Sequence, residues 1–308
     1  MKIGILLSYK GLGTNLLHLS YCHEIAKKHG PVSVITLCNN LEDVLKKDPL
    51  IKEVIYLNKF YKKFVDIINL AKFLKNIDLD SIYIFYPSFR YLISSKIAGI
   101  KTIHIYPLSK KKNLHLVSAA KAFTEKKLNI TKCPTETILY IDPDEVKKLS
   151  IINKKIFILG VGSSGPTTKW GSKNYISLID ELNKNGDYIF YLLCGPDEDK
   201  IAQNIISNIK ENNCISLSKK KIAEIIPILS LGKIYVGNDS FGHHVTSQRG
   251  IPSFVIMLDT PRAYTDYSKN QFRILPEGIN ENNITHDSAF NADSISVEMV
   301  LRKIKRFI

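Results

Sequence analysis

The sequence predicts an α/β protein of two doubly wound, Rossmann-like domains facing each other across a cleft. Three observations predict it. Short β-branched runs alternate with amphipathic stretches along the chain. The strand candidates are apolar throughout instead of alternating, as in sheets covered on both faces. The series of strands and helices then starts afresh near the middle, so 308 residues divide into two cores of ordinary size.

The elements follow in order. In the first half, residues 2–8, 32–37, 53–57, 81–86 and 101–106 read as strands. Residues 15–28, 41–47, 64–75 and 91–98 read as helices between them. The second half opens on a strand at 155–162, a helix at 172–185, a strand at 188–194 and a helix at 197–210. Further strands fall near 214–217, 233–236 and 253–258, and an amphipathic helix at 294–306 closes the chain. The charged segment 143–154 precedes the second set of strands, which sets the predicted domains at 1–150 and 151–308.

Composition narrows the class. Hydrophobic residues at 44% and charged residues at 23% are those of a globular protein. The apolar runs are too short to cross a bilayer. The N-terminal MKIGILLSYKG reads as a first strand and not as a signal peptide, having no cleavage site. Five cysteines, never in a CxxC pair, argue for a reducing, cytoplasmic compartment and against disulfides or a zinc centre. The net charge of +14 is lopsided: residues 1–154 hold 25 Lys/Arg and 13 Asp/Glu, residues 155–308 hold 18 and 16. Such asymmetry points to an anionic partner for the first half or to a lysine-rich composition without binding meaning.

Ligands of open α/β sheets sit beyond the carboxyl ends of the strands, so three loops carry the functional reading. Tyr9-Lys10-Gly11-Leu12-Gly13-Thr14-Asn15 follows the first strand and opens a helix. It is not a dinucleotide fingerprint, because Leu16 stands where GxGxxG needs its last glycine. Gly160 to Trp170 (GVGSSGPTTKW) sets glycines, hydroxyls and one lysine before a helix, a cradle suited to phosphate oxygens. Val236 to Thr246 (VGNDSFGHHVT) combines a carboxylate, a hydroxyl, a glycine and two imidazoles. Adjacent histidines on a helix point in different directions, so a shared metal at Asp239, His243 and His244 is not expected.

The second and third loops together resemble the heptosyltransferases of glycosyltransferase family 9. The resemblance implies a GT-B fold, with the N-terminal domain binding the acceptor and the C-terminal domain the nucleotide-sugar donor. It implies that Ser163, Ser164, Thr167, Thr168 and Lys169 hold the donor diphosphate, with Asp239, Ser240 and His244 matching the family's Asp, Ser/Thr and His and Gly242 expected beside the phosphate. The segment Tyr267 to Gln271 also resembles a stretch near the family's donor pocket. Two departures stand out. Gly13-Thr14 replaces the family's Gly-Asp, whose carboxylate is taken as the general base, and a threonine hydroxyl keeps its proton at neutral pH. His18, one helical turn on, reads either as a substitute base or as a packing residue. Phe241 replaces a glycine, and Gly242 follows, which shifts the turn by one residue.

The implied activity is inverting, metal-independent transfer of a sugar, heptose foremost, with ADP-heptose among the donors. The implied acceptor is an acidic lipopolysaccharide-core glycolipid at the inner membrane surface, met by a peripheral cytoplasmic enzyme. Gly11, Gly13, Lys59, Lys62, Lys63 and Arg90 are the expected acceptor contacts, with Lys110 to Lys112 nearby. No cofactor and no metal are expected. The Asp-x-Asp strings at 78–80 and 142–144 read as surface features. The competing reading is a catalytically impaired relative that binds nucleotide sugars or anionic glycans. Nucleic acid is not expected, since basic residues interleave with aromatics only at 58–64.

Overall fold

The computed structural model describes residues 1–58, 65–107, 115–149, 154–163, 168–288 and 290–308. The chain forms two compact units, Met1–Tyr140 and Ile141–Ile308. The first runs β1 (Ile3–Leu7), α1 (Leu12–Leu17), α2 (Leu19–His29), β2 (Val32–Thr36), α3 (Leu41–Leu45) and β3 (Ile51–Tyr56). It continues with α4 (Asp66–Ile77), β4 (Ser81–Ile84), α5 (Phe89–Ile97), β5 (Thr102–Ile105) and α6 (Leu116–Leu128). All five strands are parallel in the order β3-β2-β1-β4-β5. The central strands β1, β2 and β4 are buried along their length, while the edge strand β3 exposes Lys52 and Glu53. That contrast explains why the central strands read as continuous apolar runs.

The second unit runs α7 (Pro143–Leu149), β6 (Lys155–Gly160), α8 (Ser172–Asn183), β7 (Tyr188–Leu193), α9 (Asp199–Asn208) and β8 (Cys214–Ser216). It ends with α10 (Ile222–Ser230), β9 (Ile234–Asn238), α11 (Phe241–Gln248), β10 (Ser253–Ile256), β11 (Gln271–Ile274) and α12 (Val297–Ile304). Its sheet is also all parallel, ordered β11-β10-β9-β6-β7-β8. Counted within the unit this is the 3-2-1-4-5-6 order of nucleotide-binding doubly wound folds. Helix α7 packs against α10, so the charged segment before β6 belongs with the second unit.

Each sheet reverses its winding beside its first strand, between β1 and β4 and between β6 and β9. The loops leaving those strands are the ones singled out in the sequence. In the second unit the crossing is tight: a Cβ on Gly237 would lie 2.5 Å from backbone atoms of Gly160 on the neighbouring strand. Only glycine fits where β6 and β9 approach at this point.

The structure adds α6, α7, α10 and β11 to the expected elements. Helix α10 is apolar on nearly all sides and contains Pro227, which hides its helical period. Strand β11, QFRI, alternates polar and apolar residues at a sheet edge and is only half buried. The single helix expected over 15–28 is two helices, broken at His18, the last cap of α1 and the first of α2.

Candidate functional site

In the second unit the loop after β6 is stitched to the loops after β7, β9 and β10. The Ser163 hydroxyl donates to the Asp239 carbonyl at 2.8 Å. Asn238 accepts from the Trp170 N–H at 3.0 Å through its side-chain oxygen, and its amide donates to the Val161 carbonyl at 3.0 Å. Buried Asp259 accepts from the Thr168 N–H at 2.5 Å. Trp170 is wholly buried, and its indole N–H donates to the Ile295 carbonyl at 2.7 Å. It anchors the far end of the loop in the core.

Glu198, beyond β7, gathers the near end. Its carboxylate accepts from the N–H of Ser163 at 3.0 Å and of Gly195 at 3.2 Å, and pairs with the Lys169 ammonium at 2.9 Å. Gly162 makes room for this: a Cβ there would lie 2.7 Å from the Cys194 Cβ. Lys169 is about a third exposed, its side chain at 35%, and is therefore held in place yet reachable by a ligand.

Ser240 caps α11, its hydroxyl accepting from the Gly242 N–H at 3.3 Å. Gly242 has no space for a side chain, since a Cβ would lie 2.7 Å from the Tyr235 ring. The turn therefore uses Gly242, with Phe241 occupying the first helical position. Behind it, His243 Nε2 donates to Asp239 Oδ1 at 2.7 Å while the Gln271 amide donates to His243 Nδ1 at 3.0 Å. His244 Nδ1 meets the Tyr267 hydroxyl at 2.6 Å. Burial pushes the Tyr267 hydroxyl up and His244 well below its usual pKa, so both are neutral at pH 7. The His244 Nε2 lies on the Asp239 side, 4.0 Å from Oδ1, and the tautomer of the neutral ring sets whether it donates or accepts there.

The expected divergence of the two histidines is corrected. Their ring centroids lie 3.9 Å apart, and one ligand atom from each of Asp239, His243 and His244 falls within 4.8 Å of the others. These three residues could hold a metal ion. The Asp239–His243 and His244–Tyr267 hydrogen bonds account for the convergence equally well.

In the first unit, Asn15 pins the loop after β1. Its amide donates to the carbonyls of Tyr9 (3.1 Å) and Gly11 (2.7 Å), and its oxygen accepts from Thr36 at 2.7 Å. Thr14 is half-buried beside it. Gly11 is exposed at an ordinary φ of −69°, so neither strain nor crowding demands glycine there. Arg90 is half-buried in the first turn of α5, beyond β4.

A profile of glycosyltransferase family 9 (heptosyltransferase) matches residues 96–285, more than half the chain, including the loops after β6, β7, β9 and β10 but not the loop after β1. The chain belongs to glycosyltransferase family 9. It is thereby a glycosyltransferase. Solved structures agree on the fold. E. coli ADP-heptose LPS heptosyltransferase II is 16% identical with a TM-score of 0.76, covering 100% of this chain and 98% of that one. E. coli heptosyltransferase WaaC with ADP is 14% identical with a TM-score of 0.77, covering 100% of both chains. A family 9 glycosyltransferase from Veillonella parvula gives 16% and 0.75, covering 99% and 96%. No curated protein matches by sequence.

The structure brings these expected residues together: Ser163, Thr168 and Lys169 lie on the loop after β6, and Asp239, Ser240, Gly242 and His244 on the cross-linked loop after β9 and the start of α11. Ser164 and Thr167 lie outside the described residues, as do Lys59, Lys62, Lys63 and Lys110 to Lys112 on the acceptor side. Reading the sequence missed Glu198, Asn238, Asp259 and the His243–Gln271 pair. Each follows or ends a strand, or faces one across the sheet, so position beyond a strand end was the available signal.

The reading of His18 as a base is corrected. Its side chain is fully buried, stacked against Tyr9 at 4.9 Å and edge-on to Phe85 at 5.6 Å. Desolvation pushes its pKa down to about 4, although a hydrogen bond to the Thr14 carbonyl at 2.7 Å opposes the shift. With Nδ1–H donating to that carbonyl, Nε2 is buried without a partner. The imidazole packs beneath the loop and does not present itself to an acceptor.

Proposed function

We propose that this family 9 glycosyltransferase moves a sugar, heptose foremost, from a nucleotide diphosphate to an acidic lipopolysaccharide-core glycolipid, with inversion and without a metal. The donor diphosphate would lie over the loops after β6 and β9. The observation carrying this reading is the pre-built set of groups there: the part-exposed Lys169 ammonium and the capped start of α11. These groups match the charge that develops on a departing diphosphate, and loops already fixed by hydrogen bonds need little reorganisation. Solved E. coli relatives hold ADP and an ADP-linked fluoroheptose, which supports an adenosine diphosphate donor here. The acceptor would meet the first unit, whose basic excess suits a phosphorylated, carboxylated glycolipid at the inner membrane.

A second reading is favoured by one observation. Loop residues 8–15 contain no carboxylate, and His18 is sealed away. A protein with this first unit would bind nucleotide sugars and anionic glycans but transfer slowly. Transfer from ADP-heptose to deacylated core acceptor, followed with and without EDTA, separates the cases. The proposal expects turnover that EDTA leaves intact. Loss with EDTA and recovery with Mg²⁺ or Mn²⁺ would rule out the metal-free route and turn attention to Asp239, His243 and His244. Tight donor binding without turnover would favour the second reading.

A further inference from the structure

The second unit carries a groove that the transfer reaction does not use. A cavity of about 970 Å³ lies along the edge strand β11 and the end of α12. Arg273, Arg302, Lys303, Lys305, Arg306 and Phe272 are among its lining residues. Arg273 is satisfied: its Nε donates to Glu281 at 2.7 Å, and Arg262 holds the same carboxylate at 2.8 Å. The lining's one carboxylate is therefore already spent on two guanidinium groups.

The remaining four cations are different. Among the described residues, Arg302, Lys303, Lys305 and Arg306 have no carboxylate within ion-pair distance, and all are exposed. Arg306 instead lies over aromatic rings, its guanidinium 4.8 Å from the centre of Phe307 and 5.9 Å from that of Phe272. Phe272 stacks on buried Phe254 at 4.8 Å. The apolar side of α12, Val297, Val300 and Ile304, is turned into the core. What remains outward is a basic rim beside half-buried Leu301 and Phe307 and exposed Ile308. Four like charges gathered in five residues repel one another unless an anion joins them.

We propose that this groove docks anionic phospholipid headgroups at a bilayer surface. Phosphate oxygens would bridge Arg302, Lys303, Lys305 and Arg306. Basic clusters of four to eight residues on an amphipathic helix bind anionic leaflets, each cation adding attraction that salt screens. The four cations lie outside the loops after β6 and β9, although Gln271 borders both the groove and His243, so failure of this surface would leave the transfer reading untouched.

The test is co-sedimentation of the full chain with vesicles of phosphatidylcholine alone or with phosphatidylglycerol added. One variant replaces Arg302, Lys303, Lys305 and Arg306 with Gln. A second removes the same charge elsewhere on this unit, at the exposed Lys173, Lys200, Lys210 and Lys221. Binding to the anionic vesicles should fall at least about tenfold in the first variant and by no more than about twofold in the second. Both variants should keep the melting temperature of the parent and its affinity for nucleotide sugar. Equal losses in the two variants would assign the attraction to net charge and overturn the site. So would unaltered binding in the first variant, or equal binding to both vesicle types. Calorimetric titration with glycerol phosphate covers the soluble source: binding there, with none to vesicles, would also overturn the proposal.

Discussion

Both units lead a loop out of their first strand where the sheet reverses, yet different forces hold the two loops. In the second unit the fixings are polar and come from several strand ends: Glu198, Asn238, Asp259 and the Asp239 carbonyl, each with a named hydrogen bond. In the first unit the polar fixings come from the loop and its own helix start, Asn15 to the Tyr9 and Gly11 carbonyls, His18 to the Thr14 carbonyl and Tyr9 to the Phe85 carbonyl, and His18, Tyr9, Tyr21 and Phe85 pack ring on ring. Under the proposed function the difference matches what each loop would meet. A diphosphate requires fixed donors whose positions survive the approach of charge. The first loop keeps glycines and a threonine over an aromatic floor, a surface suited to a bulky sugar and not to a compact anion.

The comparison breaks first at Trp170. Trp170→Ala would empty a fully buried indole site and free the Ile295 carbonyl, costing about 3–5 kcal/mol. Because the indole anchors the donor loop, thermal melting should drop by several degrees and nucleotide affinity should fall with it. A variant that melts like the parent would show that the loop is held from its other end.

The first unit gives a smaller effect, read in pH. His18 has a folded pKa of about 4 against an ordinary value near 6.5, so the unfolded chain binds the extra proton first. Stability from its neutral burial is complete above pH 6.5 and is lost as pH falls toward 4. The loss amounts to about 3 kcal/mol, to be read by denaturant titration of the parent against His18→Leu. The variant should flatten that slope. Equal slopes would show that His18 is hydrated, and the base reading would return.

These two residues also mark how much could be read from the sequence. The strands of both units were legible because buried parallel strands are apolar on both faces, and the donor loops because each follows such a strand into a helix. The fixings were not. Asn238 reads as one more polar residue of a loop, and only the pairing of β6 with β9 brings its amide to Val161 and Trp170. Glu198 sits in an acidic turn whose charge gives no hint that it serves Ser163, Gly195 and Lys169 together. His18 stayed open between base and packing residue because helical spacing put it on the loop's side, while the fold buries its ring at the break between α1 and α2. The charge count drew attention to the first half and away from the unpaired cations of α12.

The central claim is that the polar loops of the second unit bind a nucleotide-diphosphate sugar. Calorimetric titration of ADP-, GDP-, UDP- and CDP-linked sugars tests it most directly, run on the parent and on Lys169→Ala. Lys169 is the exposed cation of the site, already oriented by Glu198 at 2.9 Å, and removing it deletes one charged hydrogen bond to phosphate. The account predicts saturable binding of one nucleotide class, weakened by about 1–3 kcal/mol in the variant. Binding of no nucleotide sugar, or a dissociation constant that Lys169→Ala leaves unchanged, would contradict it.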